Sequence, residues 1–213
     1  MLLGLDTATG AVCVAVGDGQ VLVQRSQIDP RRQAEVLAPL IDEVLREAGV
    51  SAAQLTGIAV GVGPGPFTGL RVGVTTARVL GEALGVPVHG VCTLDVIAAE
   101  VESDEPFAVA TDARRREVYW ATYDDHGVRQ SGPEVTAPAD LPAQVRLGLV
   151  AGSGPGLYPE VFPQAIPPVY PSAATLIRIA AADLATGRIV EPQPLYLRRP
   201  DVTMPSQRKA VTP

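Results

Sequence analysis

An α/β fold built from two similar halves is predicted by three features of this 213-residue sequence. Short apolar runs separated by glycine-containing turns indicate strands, and apolar residues at 3.6-residue spacing indicate helices that would cover a sheet. The opening order of strand, turn and strand returns at residue 107, so that Asp6 and Asp112 both end a first strand, 106 positions apart. Although hairpins that begin with an aspartate are common, this offset favours a duplication in which each half forms a mixed sheet flanked by helices.

The first half, residues 1–104, starts with a predicted three-stranded meander at 2–6, 11–16 and 20–25. Residues 33–48 are predicted to form a helix, because apolar side chains repeat on one face, charged side chains occupy the other, and Gly49 follows as a stop. The remaining predicted elements are a strand at 57–63, a helix at 68–84, a strand at 88–91 and a helix at 94–101 with Thr93 as its N-cap.

The second half, residues 105–213, follows the helix-breaking run at 103–106. The Pro-rich residues 192–213 at its end are expected to form a mobile tail. The predicted elements between are strands at 107–112 and 117–123, a short helix at 140–145, a strand at 147–151 and a helix at 173–186 that Gly187 ends.

Composition excludes several classes of function. The 17 basic and 23 acidic residues give a net charge of −6, so the field of the whole molecule repels polyphosphate, and we expect any RNA to be reached through a partner. Lys209 is the only lysine, which removes a P-loop lysine and Schiff-base chemistry from the folded part.

Cys13 and Cys92 are interpreted as buried thiols. With no signal-peptide pattern and no apolar run of about 18 residues, we expect a cytoplasmic protein that does not enter membranes.

The segment Asp6-Thr7-Ala8-Thr9-Gly10 is the first candidate for chemistry. A carboxylate at a strand end, followed by hydroxyls and a glycine turn, can hold Mg²⁺ through water and contact phosphate oxygens. The same residues also suit a plain hairpin capped by an aspartate. A glycine-rich loop at 63–69 adds free backbone amides at the start of a helix. The candidate nucleotide or phosphate contacts are Asp6, Thr7, Thr9, Gly63, Gly65, Thr68 and Gly69.

Small residues form a ridge along the helix that follows this loop. Gly69, Gly73, Ala77 and Gly81 are spaced four apart and therefore share one face. Since each glycine inside a helix costs about 1 kcal/mol relative to alanine, close approach by another backbone is the expected compensation. That neighbour belongs either to this chain or to a partner.

Dense positive charge occurs at Arg114-Arg115-Arg116 and at Arg198-Arg199. An acidic partner or an RNA backbone would suit these arginines, although a solvated turn explains them as well. The two histidines form no His-x-x-x-His pair, and no Cys–His pair, Gly-x-Ser-x-Gly elbow or zinc-binding cysteine cluster is present. The sequence therefore predicts no catalytic residue.

Four segments of the sequence resemble the TsaB family, also called YeaZ. They are DTAT at 6–9, GPGPFTGLRVG at 63–73, DAR at 112–114 with EVYWA at 117–121, and LYLR at 195–198. The resemblance implies the two-lobed fold shared by actin, sugar kinases and chaperone ATPases. It also implies a bacterial complex in which a TsaD-type paralogue transfers a threonylcarbamoyl group to an adenosine beside the tRNA anticodon, with a TsaE-type ATPase as a further member.

TsaB-type proteins are regarded as scaffolds, so the resemblance implies no activity and no cofactor in the isolated chain and leaves open ATP or ADP at a partner interface. The first-lobe helices are expected to pack on the TsaD-type partner or on a second copy in a homodimer, and tRNA is expected to be reached only through the complex. The expected interface residues are Val36, Leu40, Val44, Gly69, Arg71, Gly73, Ala77 and Gly81.

Two positions depart from the family pattern. Gln33 stands where many TsaB relatives carry a histidine and TsaD relatives carry a metal ligand, so no metal site is expected. Pro66 replaces the usual serine of the glycine-rich loop, which removes a hydroxyl and a backbone N–H. Two other functions stay open: an autonomous ATP-binding phosphotransferase that uses Asp6, Thr7 and the 63–69 loop, and, with less support because paired histidines are lacking, a peptidase.

Overall fold

The computed structural model describes residues 1–18 and 20–198, and two five-stranded mixed sheets lie within them. The first sheet is formed by β1 (Leu2–Asp6), β2 (Ala11–Gly17), β3 (Val21–Ile28), β4 (Gly57–Gly61) and β5 (Val88–Val91). Its order is β3-β2-β1-β4-β5, and β1 is antiparallel to β2 and parallel to β4. The central strand, β1, therefore lies between the antiparallel pair β2–β3 and the parallel strands β4 and β5.

The second sheet is formed by β6 (Phe107–Asp112), β7 (Val118–Tyr123), β8 (Arg129–Thr136), β9 (Leu149–Ala151) and β10 (Gln164–Ala165). Its order is β8-β7-β6-β9-β10, with β6 antiparallel to β7 and parallel to β9. This repeats the first sheet strand for strand and confirms the predicted fold, two mixed sheets in an actin-like, two-lobed α/β arrangement.

The helices are α1 (Gln33–Ala48), α2 (Phe67–Leu84), α3 (Thr93–Ala98), α4 (Ala143–Leu147), α5 (Gly154–Leu157) and α6 (Ala173–Ala185). Short 3₁₀ turns lie at Ala52–Gln54 and Pro138–Asp140. Thr93, predicted as an N-cap, is instead the first residue of α3, because its hydroxyl is bonded elsewhere in the fold. None of the helices in the described part of the chain is both long and apolar enough to cross a bilayer.

The two faces of the first sheet carry side chains of different size. Leu3 and Leu5 of β1 belong to the core beneath α1 and α2, together with large residues of β2 and β4. Gly4, between them, faces α6, where a Cβ would lie 2.9 Å from the Ala173 carbonyl oxygen. Cys13, Ala15 and Ala59 beneath α6 are also small, while the valine Val91 of β5 completes this side of the sheet. The sheet is therefore a three-layer sandwich with α6 held close on one side.

This position of α6 corrects the assignment of everything after residue 104 to the second lobe. The strands divide near that boundary, but α6 packs on β1, β2, β4 and β5 of the first sheet. The second sheet is covered by α3 on one face and by α4 with Phe162 on the other. Because α3 also places Val96 in the core beneath α6, it lies between the two sheets and contacts both.

Residues 188–198, here named the C-terminal strap, return along the first lobe. The Gly90 amide donates to the Val190 carbonyl over 2.9 Å, and the Leu195 amide donates to the Val62 carbonyl over 2.8 Å. Buried His89 accepts from the Val190 amide at Nδ1, so its proton lies on Nε2 and faces Asp183 at 3.1 Å. The prediction of a mobile tail from residue 192 is therefore wrong for 192–198, while residues 199–213, with Arg199 and Lys209, lie outside the described residues.

The ridge of small residues on α2 faces this chain's own sheet. A Cβ on Gly73 would lie 2.5 Å from the Thr7 hydroxyl oxygen, and a Cβ on Gly81 would lie 2.4 Å from a methyl group of Val88. Ala77 is fully buried between them. The neighbour that compensates for these glycines is therefore internal, and the expectation of a partner contact at Gly69, Gly73, Ala77 and Gly81 is corrected.

Substituting Gly73→Ala should lower the free energy of unfolding by about 1–3 kcal/mol, because the new methyl group overlaps the Thr7 hydroxyl. Gly156→Ala is the matched control, since nothing lies within 4 Å of its Cβ position and its φ is not positive. Denaturant unfolding followed by circular dichroism measures both. Equal midpoints for the two variants would contradict the close packing of α2 on β1.

Candidate functional site

Asp6 lies at the end of β1 and is completely buried. Its Oδ1 accepts from the Ala8 amide over 2.7 Å, and its Oδ2 accepts from the Thr93 hydroxyl over 2.7 Å. The same hydroxyl accepts from the Gly63 amide over 3.1 Å. The carboxylate thus joins the hairpin turn, the glycine-rich loop and the start of α3 in one hydrogen-bond network.

The surroundings of Asp6 determine what it can bind. Burial raises its pKa from 3.8 to about 6, and the hydrogen bonds from Thr93 and Ala8 oppose this only in part. Gly61 covers the carboxylate so closely that a Cβ there would lie 1.8 Å from Oδ2. Because both oxygens are bonded and no surface is exposed, Asp6 does not fit the predicted role of a carboxylate that holds hydrated Mg²⁺.

Thr7 is likewise used inside the chain. Its hydroxyl donates to the Gly69 carbonyl over 2.6 Å and accepts from the Gly73 amide over 2.9 Å. In a regular helix a carbonyl pairs with the amide four residues later. The Thr7 hydroxyl contacts both members of one such pair in α2, the Gly69 carbonyl and the Gly73 amide. The hydroxyl that was a candidate phosphate contact therefore locks β1 onto α2.

The other phosphate candidates are dispersed. Gly63 and Gly65 are buried, and a Cβ on Gly65 would lie 2.1 Å from the Ala8 carbonyl oxygen, so the glycine-rich loop packs directly on the hairpin turn. Thr9 reaches the cleft between the lobes, whereas Thr68 is exposed on a groove between α1 and α2. These positions form no common phosphate cradle, which corrects the prediction that they bind one together.

A cleft of about 370 Å³ separates the lobes. The turn at Thr9 and Gly10 lines it from the first lobe, and Asp112 and Arg114 line it from the second. Apolar and aromatic side chains also line it, including Tyr170. A magnesium nucleotide would need free phosphate ligands here, but Asp6 and Thr7 are not among the residues that line the cleft.

The loop between β6 and β7 has an unusual backbone. Arg114, Arg115 and Arg116 have φ angles of 61°, 55° and 64°, a left-handed region that costs roughly 1–2 kcal/mol per non-glycine residue. The Arg114 amide donates to Asp112 Oδ1 over 2.7 Å. Arg198 of the strap pairs with the Glu117 carboxylate and donates to the Ala113 carbonyl. The strap therefore contacts this loop at Ala113 and Glu117.

The outer face of α1 and α2 differs from the predicted interface. Leu40 and Val44 are buried in the first-lobe core, and Val36 is half-buried, so this part of the prediction is corrected. Arg71 is exposed as expected, with its guanidinium 5.1 Å from the centre of the Phe67 ring. Phe67 in turn lies 5.2 Å from the ring of Tyr196. The exposed residues on or beside this face are Phe67, Thr68, Arg71, Thr75, Val79 and Tyr196.

Sequence reasoning missed Phe67, Val79 and Tyr196 as surface residues. Phe67 and Tyr196 were visible inside the quoted motifs, but nothing local indicated that their rings are 44% and 45% exposed.

Gln33 is 8% exposed, and its amide donates to the Thr9 carbonyl over 3.4 Å. No group of three His, Cys, Asp or Glu side chains in residues 1–18 and 20–198 is arranged to hold a metal ion.

Substituting Asp6→Asn should change how stability depends on pH. The folded-state pKa of about 6 exceeds the ordinary value of 3.8, so the fold binds a proton more tightly than the unfolded chain. The stability that protonated Asp6 contributes is complete below pH 3.8 and is lost as the pH rises through 6. Since one pKa unit corresponds to 1.36 kcal/mol, the wild-type chain should lose about 3 kcal/mol over this window relative to D6N.

Parallel denaturant unfolding of both chains from pH 3.5 to pH 7 measures this difference. Asp125→Asn is the control, because Asp125 is exposed on a turn. A constant difference between D6N and the wild type across the window would mean that Asp6 is not held as a buried carboxyl.

Three comparisons relate the chain to known proteins. The family model described as TsaD, tRNA N6-adenosine threonylcarbamoyltransferase, matches residues 27–144. An uncharacterized protein of Mycobacterium tuberculosis is 43% identical over 94% of this chain and 92% of its own length. The Escherichia coli tRNA threonylcarbamoyladenosine biosynthesis protein TsaB is 32% identical over 60% of this chain and 57% of its own length.

Among solved structures, YeaZ from Pseudomonas aeruginosa superposes with a TM-score of 0.78 at 32% identity, and the match covers 92% of this chain and 99% of that one. The similarity therefore extends over both lobes. On these matches the chain belongs to the TsaB (YeaZ) family.

Proposed function

We propose that this chain is the TsaB-type subunit of the machinery that makes threonylcarbamoyladenosine in tRNA. The names of its relatives support this pathway, and the match to the TsaD model supports a TsaD-type partner of related fold. In this role the chain binds the partner and supports threonylcarbamoyl transfer without carrying out chemistry itself. The observation that carries the proposal is the aromatic and apolar face of α2, exposed beside a groove.

This docking face, formed by Phe67, Arg71, Val79 and Tyr196, has the composition of an interface core. Phe67, Val79 and Tyr196 are 44%, 59% and 45% exposed, and the Arg71 guanidinium lies over the Phe67 ring. Aromatic residues and arginine are enriched in protein interfaces and account for most of their binding energy. A partner that covers this face removes apolar area from water and shields the Arg71–Phe67 contact.

The groove beside the docking face favours a helix as the element that binds. It runs between α1 and α2 and is lined on the α1 side by Ala34, which is small. Thr75 and Thr76 continue the groove along α2 toward Val79. A helix of a paralogue or of a second copy fits such a groove, because ridges of one helix pack into grooves of another. A homodimer of the isolated chain therefore uses the same face as the TsaD-type partner and competes with it.

The burial of Asp6 and Thr7 supports a scaffold rather than an autonomous phosphotransferase. In a phosphotransferase of this fold these side chains would contact hydrated metal and phosphate, whereas here they hold β1, α2 and α3 together. The peptidase alternative gains no support from the histidines, since His89 is buried against Asp183 and His126 lies on an exposed turn. ATP or ADP at the partner interface, a TsaE-type third member and a cytoplasmic location stay predictions.

Substituting Val79→Arg should weaken binding of the TsaD-type partner at least tenfold, because it places a bulky cation in the docking face. Val128→Arg is the matched control: Val128 is 57% exposed, close to the 59% of Val79, but lies on the second lobe. Isothermal titration of the purified partner into each variant measures the effect, with thermal unfolding to verify that both variants fold. Equal affinities for the two variants would exclude this face.

Reconstitution then tests the function itself. A mixture of the TsaD-type and TsaE-type proteins, threonylcarbamoyl adenylate and tRNA should form modified adenosine only when this chain is added, and V79R should restore less of the activity than V128R. Turnover of Mg-ATP by the isolated chain would instead support the phosphotransferase. Modification that proceeds equally well without the chain would contradict the scaffold role.

A further inference from the structure

We propose that two arginine-bearing loops at the mouth of the interlobe cleft form a surface that binds the phosphate backbone of tRNA. One loop is the left-handed turn with Arg114, Arg115 and Arg116, and the other carries Arg31 and Arg32. This inference rests on the proposed function for the choice of RNA over another polyanion. The charge, geometry and position of the loops come from the chain itself.

The two loops face each other across one opening. Pro30, which directly precedes Arg31, and Arg114 both line the cleft. The three consecutive arginines on the second-lobe side and both arginines on the first-lobe side are exposed. A chain of phosphates can therefore contact both rims at once.

Among the described residues at the opening, arginines outnumber the carboxylates that pair with them, although the molecule carries a net charge of −6. Asp29 pairs with Arg32, and Asp112 pairs with Arg114, so these carboxylates are already matched. Among the residues that the structure describes, neither Arg31 nor Arg116 forms an ion pair with a carboxylate. The charge of Glu160 raises the pKa of Tyr158 and that of Arg116 lowers it, so one acidic side chain does lie near Arg116. Because screening limits the reach of charge to about 10 Å at 0.1 M salt, the local excess governs binding rather than the total.

The second-lobe loop is also fixed in place. Its three left-handed residues are sterically disfavoured, yet the loop is tied by the Asp112 carboxylate at one end and by the pair of Glu117 with Arg198 at the other. A loop that only needed to be soluble could carry glycine at these positions without strain. Arginine side chains on a rigid backbone lose less entropy on binding, and their planar guanidinium groups match phosphate oxygens in pairs.

The test uses the full-length chain and a fluorescently labelled tRNA transcript in anisotropy titrations from 0.05 to 0.3 M NaCl. The variant is Arg31→Gln combined with Arg116→Gly, since glycine removes the cation and adopts a φ of 64° without strain. The control is Arg178→Gln combined with Arg188→Gln, which removes the same charge from exposed positions on and after α6.

Each lost phosphate contact should weaken binding about five- to eightfold at 0.1 M salt and reduce the slope of log affinity against log salt by about 1. The control should match the wild-type chain. Equal losses in variant and control would overturn the proposal, because they would reflect net charge alone. Displacement of tRNA by equimolar inorganic pyrophosphate would also overturn it and indicate a small-anion site.

Titration of the same variants with the TsaD-type partner separates this inference from the proposed function. A chain that binds tRNA but not the partner would contradict the proposed function and leave the surface in place. Normal assembly with unchanged tRNA affinity would overturn the surface and leave the proposed function in place. Loss of the partner rather than of tRNA would show that the loops bind an acidic protein, which also overturns the RNA inference.

Discussion

The buried carboxylate of Asp6 is the constraint on which the rest of the first lobe depends. Through Thr93 it fixes the start of α3, and through the same hydroxyl it fixes the amide of Gly63. The glycine-rich loop then enters α2 against the hairpin turn, where Thr7 bridges two backbone groups of that helix. A charge without water must have its hydrogen bonds satisfied, so these elements cannot move independently.

Much of the fold could be predicted from the sequence because each lobe is built from local patterns. The bounds of α1 agree with the amphipathic repeat and with Gly49, whose left-handed φ of 65° ends the helix. The position of α6 was not predictable in this way, because its periodicity marks one apolar face but not which sheet that face meets. The small residues Gly4, Cys13 and Ala15 indicate which side of the first sheet a helix can approach closely. They form one surface only because β1 and β2 are neighbours, which the local sequence does not show.

The candidate site shows the same limit at the level of chemistry. An aspartate and two hydroxyls at a strand end are compatible with a phosphate site and with an internal lock, and local sequence is identical in the two cases. The difference lies with Thr93, 87 residues away, and with Gly61, whose missing side chain lets the carboxylate sink into the core. Likewise, the glycine spacing on α2 correctly predicts close contact with another backbone. It does not show whether that backbone belongs to this chain or to a partner.

The late return of α6 and the strap also shapes how this chain is made. The first sheet is complete once β5 has been synthesised, but one face of it is covered mainly by α6, which follows the strands of the second lobe. Until Ala173 leaves the ribosome, Cys13 and Ala15 of β2 have no helix above them. Synthesis at about 5–20 residues per second leaves this face open for several seconds. The two lobes are therefore successive in sequence but not in folding, since the first cannot finish before the second exists.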